Sequence, residues 1–252
     1  MLPEAPSELL KNIYERKQRM ASITKSTYQQ ACSLNANHVA RDENDRLTHT
    51  NKDIDSSRTH DNYSLLNKEM NDRQRLKRRL EEVAHINRKD LIASADMLIT
   101  VPKEVPQKFH KQFFEECVKW AQARYGEKNI WQARVHMDET TPHLHMGVVP
   151  TLEATKLQKS KGFAERLSFD ERFSKRHDGA NEYMIYHRSL QEHMQKTGIP
   201  GADKVLNGAT KDGNRSVREM KAEREHAHEI ARDDNPFRRQ ANERGRDNGF
   251  NR

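Results

Sequence analysis

Cysteine is almost absent: Cys32 and Cys117 are the only two in 252 residues. That excludes a disulfide scaffold and any CxxC redox or zinc-thiolate motif, and it fits a reducing compartment. Aromatic residues make up 6% and hydrophobic residues 33% of the chain, too little to fill a core along its whole length. No apolar run approaches the ~18 residues of a membrane-spanning helix. The first twenty residues, MLPEAPSELLKNIYERKQRM, lack the apolar stretch and small-residue cleavage site of a secretory signal. The expected location is therefore the cytoplasm. What is abundant is charge: 33% of residues are Asp, Glu, Lys or Arg, with a formal net charge of +7. A cationic excess favours a polyanionic partner, nucleic acid first among them.

Apolar periodicity divides the chain. Residues 1–19, with Leu9, Leu10, Ile13 and Tyr14, form an N-terminal extension with a short amphipathic stretch. Residues 20–200 hold nearly all the patterned segments, and residues 201–252 are so polar that they predict a charged helical or disordered tail. Within the central region a first strand starts near Met20–Thr24. Residues 30–64 are rich in Asn, Asp, Ser, Thr and His and read as a long loop, the kind that usually carries function. Leu76, Leu80, Val83 and Ile86 have helical spacing, predicting a helix within 65–92. Met97–Val101 reads as a strand closed by Pro102. Phe109, Phe113, Cys117 and Ala121 recur every fourth residue, a helix stopped by Gly126. Strands follow over Ile130–Met137 and Leu144–Val149, separated by the turn-like Glu139-Thr140-Thr141-Pro142. Tyr183, Tyr186, Leu190 and Met194 mark a last helix. This order predicts an α+β fold with an antiparallel β-sheet and flanking helices.

The chemistry concentrates in His136-Met-Asp138-Glu139-Thr-Thr-Pro142-His143-Leu144-His145. Side chains two apart on a strand share a face, so His143 and His145 stand together while Leu144 points into the core. A tight turn would bring His136 alongside them from the preceding strand. Three imidazoles on one face make a metal site with open coordination positions, which is what a catalytic ion needs. Asp138 and Glu139 each fit a metal ligand, a partner fixing an imidazole tautomer, a general base, or simply a turn residue.

On these residues the sequence resembles the MobV family of plasmid mobilisation relaxases, also called Pre/Mob plasmid recombination proteins. The resemblance is carried by His136 through Pro150, by His38-Val-Ala-Arg41, and by the segment from Thr48 through Asn51, Asp53, Arg58 and His60 to Asn62-Tyr63. It implies an endonuclease with a central antiparallel sheet bearing metal-binding histidines, which nicks one DNA strand at a plasmid origin of transfer. Such an enzyme stays joined to the 5′ phosphate and later reseals the strand. The family's nucleophile is a histidine whose matching position here is His38, with Arg41 in the arginine slot and Val39 where relatives carry Asn. A neutral imidazole attacks phosphorus near pH 7, and the resulting phosphoramidate keeps the energy of the ester.

The expected catalytic set is thus His38, Arg41, Asp138 and Glu139, with His136, His143 and His145 as metal ligands. The cofactor is a divalent metal, manganese or magnesium, and the partner is plasmid DNA in a bacterial cytoplasm, with a homodimer also possible. Asn51, Arg58, Arg75, Lys77 and Arg78 are candidate DNA contacts, the last three within the basic run Arg73–Arg79. Lys156–Lys161 is a second basic stretch. His49 and His60 compete with His38, and Tyr28 and Tyr63 are the tyrosine alternatives for the nucleophile. Rival functions are a rolling-circle replication initiator using tyrosine, and a shortened, non-enzymatic relaxase that binds origin or promoter DNA. A three-histidine zinc hydrolase for small molecules fits the basic charge poorly.

Overall fold

A computed structural model describes residues 21–32 and 54–205. The N-terminal extension, the expected tail from residue 206 onward, and His38, Arg41, His49 and Asn51 all lie outside the described residues. The architecture is α+β, as expected. Strands β1 (Ala21–Thr27), β2 (Tyr63–Ser64), β3 (Ile92–Thr100), β4 (Ile130–His136) and β5 (His143–Val148) form one sheet in the order β1-β3-β5-β4-β2. Every neighbouring pair is antiparallel.

Strand alternation gives this sheet two unlike faces. Ile23, Ala95, Met97, Ile99, Ala133, Val135, Leu144, Met146 and Val148 are all buried in one cluster. Helix α1 (Asp72–Glu82) lies elsewhere; the apolar face is covered by α2 (His110–Tyr125) and by α4 (Glu182–Gln195), which follows the short α3 (Lys156–Ser160). Phe113, Phe114, Cys117, Trp120 and Ala121 of α2 are buried there, with Tyr186, Leu190 and Met194 of α4. The fourfold repeat read in the sequence is the buried stripe of α2. Gly126 ends that helix at φ +91°, a conformation that L side chains rarely adopt. Between the two helices, Arg124 and the Tyr125 hydroxyl both donate to the buried carboxylate of Glu182.

The opposite face is polar. It carries Ser22, Thr24 and Ser26 of β1, Ser94, Asp96 and Thr100 of β3, His143 and His145 of β5, and Gln132, Arg134 and His136 of β4, as the pairing register requires. Its far end is closed by a second apolar cluster, in which Leu76, Leu80 and Val83 meet Trp131 and Val149. A bulge between Ile130 and Gln132 delivers Trp131 to this face. There its indole N–H donates to Ser94 Oγ at 2.8 Å, and its ring lies against the backbone of Gly147.

Two expectations are corrected. The helix predicted within 65–92 is shorter. Asn71 and Gln74 cap the start of α1 reciprocally, and at Val83 the backbone turns extended (φ −114°, ψ 142°). Ala84 is captured there by a bridge to Arg166; Val83 keeps its place in the core, while Ile86 is 75% exposed. Residues 54–64 are not plain loop: Ser56–Asp61 is a 3₁₀ helix leading into β2. A small second sheet, β6 (Thr151–Glu153) with β7 (Glu165–Leu167), carries α3 in its connection. Arg79 of α1 links that helix to the small sheet by a hydrogen bond to Glu165, and also donates to Asn129 and Glu82.

A Cβ placed on Gly147 would fall 2.3 Å from Trp131 Cε2, inside any tolerated contact. Gly147→Ala is expected to lower stability by about 1–3 kcal/mol, read as a fall of several degrees in Tm by calorimetry. An unchanged Tm would show that Trp131 does not occupy this position.

Candidate metal centre

His136 and His143 face each other directly across the β4–β5 ladder, and His145 is paired with Arg134. The ring centroids are 5.2 Å apart for His136 and His143, 4.6 Å for His136 and His145, and 4.8 Å for His143 and His145. One ligand nitrogen from each ring lies within 4.8 Å of the others. His136 and His143 are buried and His145 is half-exposed, so the group has one side toward solvent. The register makes this convergence: His136 opposite His143, with His145 one alternation further along.

The hydrogen bonds show which atoms are available. His143 Nδ1 lies 2.9 Å from the Thr141 carbonyl oxygen, and since a carbonyl only accepts, Nδ1 carries the proton. In the neutral ring this leaves the Nε2 lone pair for a ligand, and Nε2 sits 3.0 Å from His145 Nε2. Two nitrogens bound about 2.1 Å from one ion at angles between square and tetrahedral lie roughly 3.0–3.4 Å apart. The donor set thus fits a divalent cation. Among the described residues the group contains the three histidines and neither Asp138 nor Glu139, which leaves coordination positions for solvent or a phosphate oxygen.

The carboxylates separate once the strand ends. β4 stops at His136, so Asp138 is in the turn rather than on the regular strand face. It is fully buried and accepts hydrogen bonds from Thr59 Oγ1 (3.1 Å) and Asn62 Nδ2 (2.8 Å). Glu139, next to it, is half-buried. The tyrosines stand away from the histidines. Tyr63 pairs with Val135 and packs against the apolar cluster on the opposite face. Burial, and then the Glu115 carboxylate, push its phenol up to about 12. Tyr28 follows the far end of β1, seven residues from the end that pairs with Ile99, or roughly 20 Å along the strand. Its phenol is also raised, first by burial and then by a hydrogen bond with Cys32.

The basic candidates differ in environment. Arg58 sits on the 3₁₀ helix, 3.7 Å from Asp61. Lys77 and Arg78 are exposed on α1, Arg78 within 3.6 Å of Glu82. Arg75 is nearly buried, 3.1 Å from the buried Asp72. A residue the sequence reading passed over is Arg134, two positions before His136 on the same face. Its Nε donates to Asp72 at 2.6 Å, beside Gln132 at 3.3 Å. The alternation that singled out His136 also marks Arg134; its carboxylate partner is 62 residues away and was not visible locally.

The family model described as plasmid recombination enzyme (Mob_Pre) matches residues 16–200. The chain belongs to this Mob/Pre family. It is 34% identical over 165 residues to a plasmid recombination enzyme of a Bacillus species, and 33% identical over 165 residues to a type 2 plasmid recombination enzyme of Staphylococcus aureus. Both alignments cover 62% of this chain and 36% of the relative, so this Mob/Pre chain spans just over a third of the length of those relatives. Among solved structures it resembles the MobM relaxase domain (MOBV; Mob_Pre) bound to plasmid pMV158 oriT DNA in a Mn-bound crystal at pH 6.8. The TM-score is 0.61 with 26% identity, covering 80% of this chain and 96% of that one. A second such crystal, at pH 5.5, gives a TM-score of 0.59.

Titration calorimetry should show Mn²⁺ binding by this Mob/Pre chain, weakened at least about tenfold by His143→Ala/His145→Ala, in line with the loss of ligand imidazoles. Equal affinity in the double variant would exclude these residues as ligands.

Proposed function

We propose that the chain is the nicking-closing domain, over residues 20–200, of a plasmid mobilisation and recombination relaxase. It cleaves one strand at an origin of transfer and reseals it. The carrying observation is the convergence of His136, His143 and His145 on the polar face of a sheet whose structural relative is a relaxase domain with manganese and oriT DNA. Those three residues would hold Mn²⁺ or Mg²⁺; the ion, when bound, polarises a non-bridging oxygen of the scissile phosphate.

The rest falls to the protein's own groups. In this reading an imidazole nitrogen of His38 attacks phosphorus, the bond to the 3′ oxygen breaks, and the 5′ phosphate remains on His38 as a phosphoramidate. The ring proton passes to Glu139, and the departing 3′ oxygen takes up a proton to become a hydroxyl; attack by that hydroxyl reverses the step and releases His38. Arg41 and Arg58 neutralise phosphate charge, and Asn51, Lys77 and Arg78 bind flanking nucleotides, with Arg75 contributing through its neighbours on α1. The DNA partner is a bacterial plasmid met in the cytoplasm, by a protein that can act as a homodimer.

A supercoiled plasmid carrying the DNA that flanks the coding sequence is the test substrate. With Mn²⁺ it should relax, leaving protein attached to the 5′ end on a denaturing gel, and chelation should abolish the reaction. His38→Ala should remove the adduct while Mn²⁺ affinity is unchanged. An adduct that persists in His38→Ala overturns the nucleophile; DNA binding with no nicking in the unaltered protein overturns the enzymatic reading in favour of an origin or promoter binder.

A further inference from the structure

The turn after His136 is tied to residues 55–65 by a continuous set of bonds. The Asp55 amide donates to the Asp138 carbonyl oxygen at 2.8 Å. Thr59 Oγ1 and Asn62 Nδ2 donate to Asp138 Oδ2. The Met137 amide donates to Asn62 Oδ1 at 2.7 Å. Beyond Asn62 the pairing continues as a ladder: Tyr63 opposite Val135, Ser64 opposite Arg134, and the Leu65 amide to the Ala133 carbonyl at 2.9 Å. The side chain of Asn62 thus uses both ends, one on the backbone before Asp138 and one on its carboxylate. His136 sits between the residues so engaged.

Burying a carboxylate carries a large desolvation cost that only well-made hydrogen bonds offset. Here Thr59 and Asn62 supply two such bonds, both to Oδ2, from a segment more than seventy residues earlier.

We infer that Asp138 and Asn62 form a positioning clamp. The clamp holds the 3₁₀ segment Ser56–Asp61 against the end of the strand that carries His136. Asp138 is then a positioning residue rather than a metal ligand or proton acceptor. Only the consequence for nicking rests on the relaxase reading; the clamp itself does not. Reaction rates depend steeply on such placement, since a shift of about 1 Å can cost roughly 100-fold.

The test exploits the chemistry of the pair. Asn62→Asp alone sets two carboxylates together, and Asp138→Asn alone puts two amides where one donor met one acceptor. In the exchange Asn62→Asp/Asp138→Asn, the new amide at 138 donates to the carboxylate at 62. The Met137 amide still has its acceptor, and Thr59 can donate to the amide oxygen. Each single variant should lower kcat for plasmid nicking by roughly 10- to 100-fold, leave Mn²⁺ affinity within about twofold, and speed hydrogen exchange at the Asp55 and Met137 amides. The exchange variant should restore both rate and protection. Restored protection without restored nicking would assign a chemical role to the carboxylate at 138 and overturn the inference, as would unchanged exchange in Asn62→Asp. A singly substituted protein that fails to fold is replaced by Thr59→Val, which removes one bond only, with the same amides read. If the unaltered protein does not nick at all, the relaxase reading falls while amide protection still decides the clamp.

Discussion

The register between β4 and β5 is the constraint on which the rest depends. With His136 opposite His143, the polar residues of both strands lie on one face and Ala133, Val135, Leu144, Met146 and Val148 on the other. Because the side-chain period is two, a slip of one residue would drive the imidazoles into the helix-covered layer and expose Leu144 and Met146. Fully burying such an aliphatic side chain contributes about 1.5–3 kcal/mol, so several of them together hold the register firmly. The bulge at Trp131 and the missing side chain at Gly147 add a steric lock at the other end of the same strands. The metal centre is thus a by-product of core packing on the reverse side of the sheet: apolar residues set where the histidines stand.

On both sides of the sheet several ionic groups are paired and shielded from solvent. Asp72 gathers Arg75 and Arg134, Glu165 takes Arg79, and Glu182 takes Arg124. For Glu165, burial by itself raises the carboxyl, but the hydrogen bonds from Arg79 and Thr151 prevail and hold it below its ordinary value. The basic run Arg73–Arg79 is therefore not one cationic stripe. Its helical rotation turns Arg75 and Arg79 toward buried partners and leaves Lys77 and Arg78 outward, so this run offers a polyanion fewer exposed cations than its sequence suggests. The trio of Asp72, Arg75 and Arg134 nevertheless holds two cations to one anion. That places a surplus positive charge two residues from His136, on the face that carries the three histidines.

Much of this was legible in the linear sequence because it depends on local period. The fourfold spacing of Phe113, Cys117 and Ala121 specifies the buried stripe of α2, and the alternation through His143, Leu144 and His145 specifies which atoms share a face. The Mob/Pre family model spans both of these segments, matching residues 16–200. Where period fails, so did the reading. Val83 is buried on the helical rhythm of Leu76 and Leu80 although its backbone is extended, because the strand around Arg166 captures the next residue. Hydrophobic spacing records that a residue is buried and is silent about what buries it.

The amino-acid order alone determined the two faces of the central strands, the amphipathic helix that covers one of them, and the three imidazoles that come together on the other. These follow from side-chain direction, a property of each strand by itself. Only the tertiary structure bonded Asp138 to Thr59 and Asn62, carried Tyr63 to the far side of the sheet, and joined Arg134 to Asp72. Those outcomes turn on where a strand stops and which distant residues then meet it. A donor and an acceptor sixty or seventy positions apart leave no trace in local periodicity, and their pairing exists only once the chain has closed on itself.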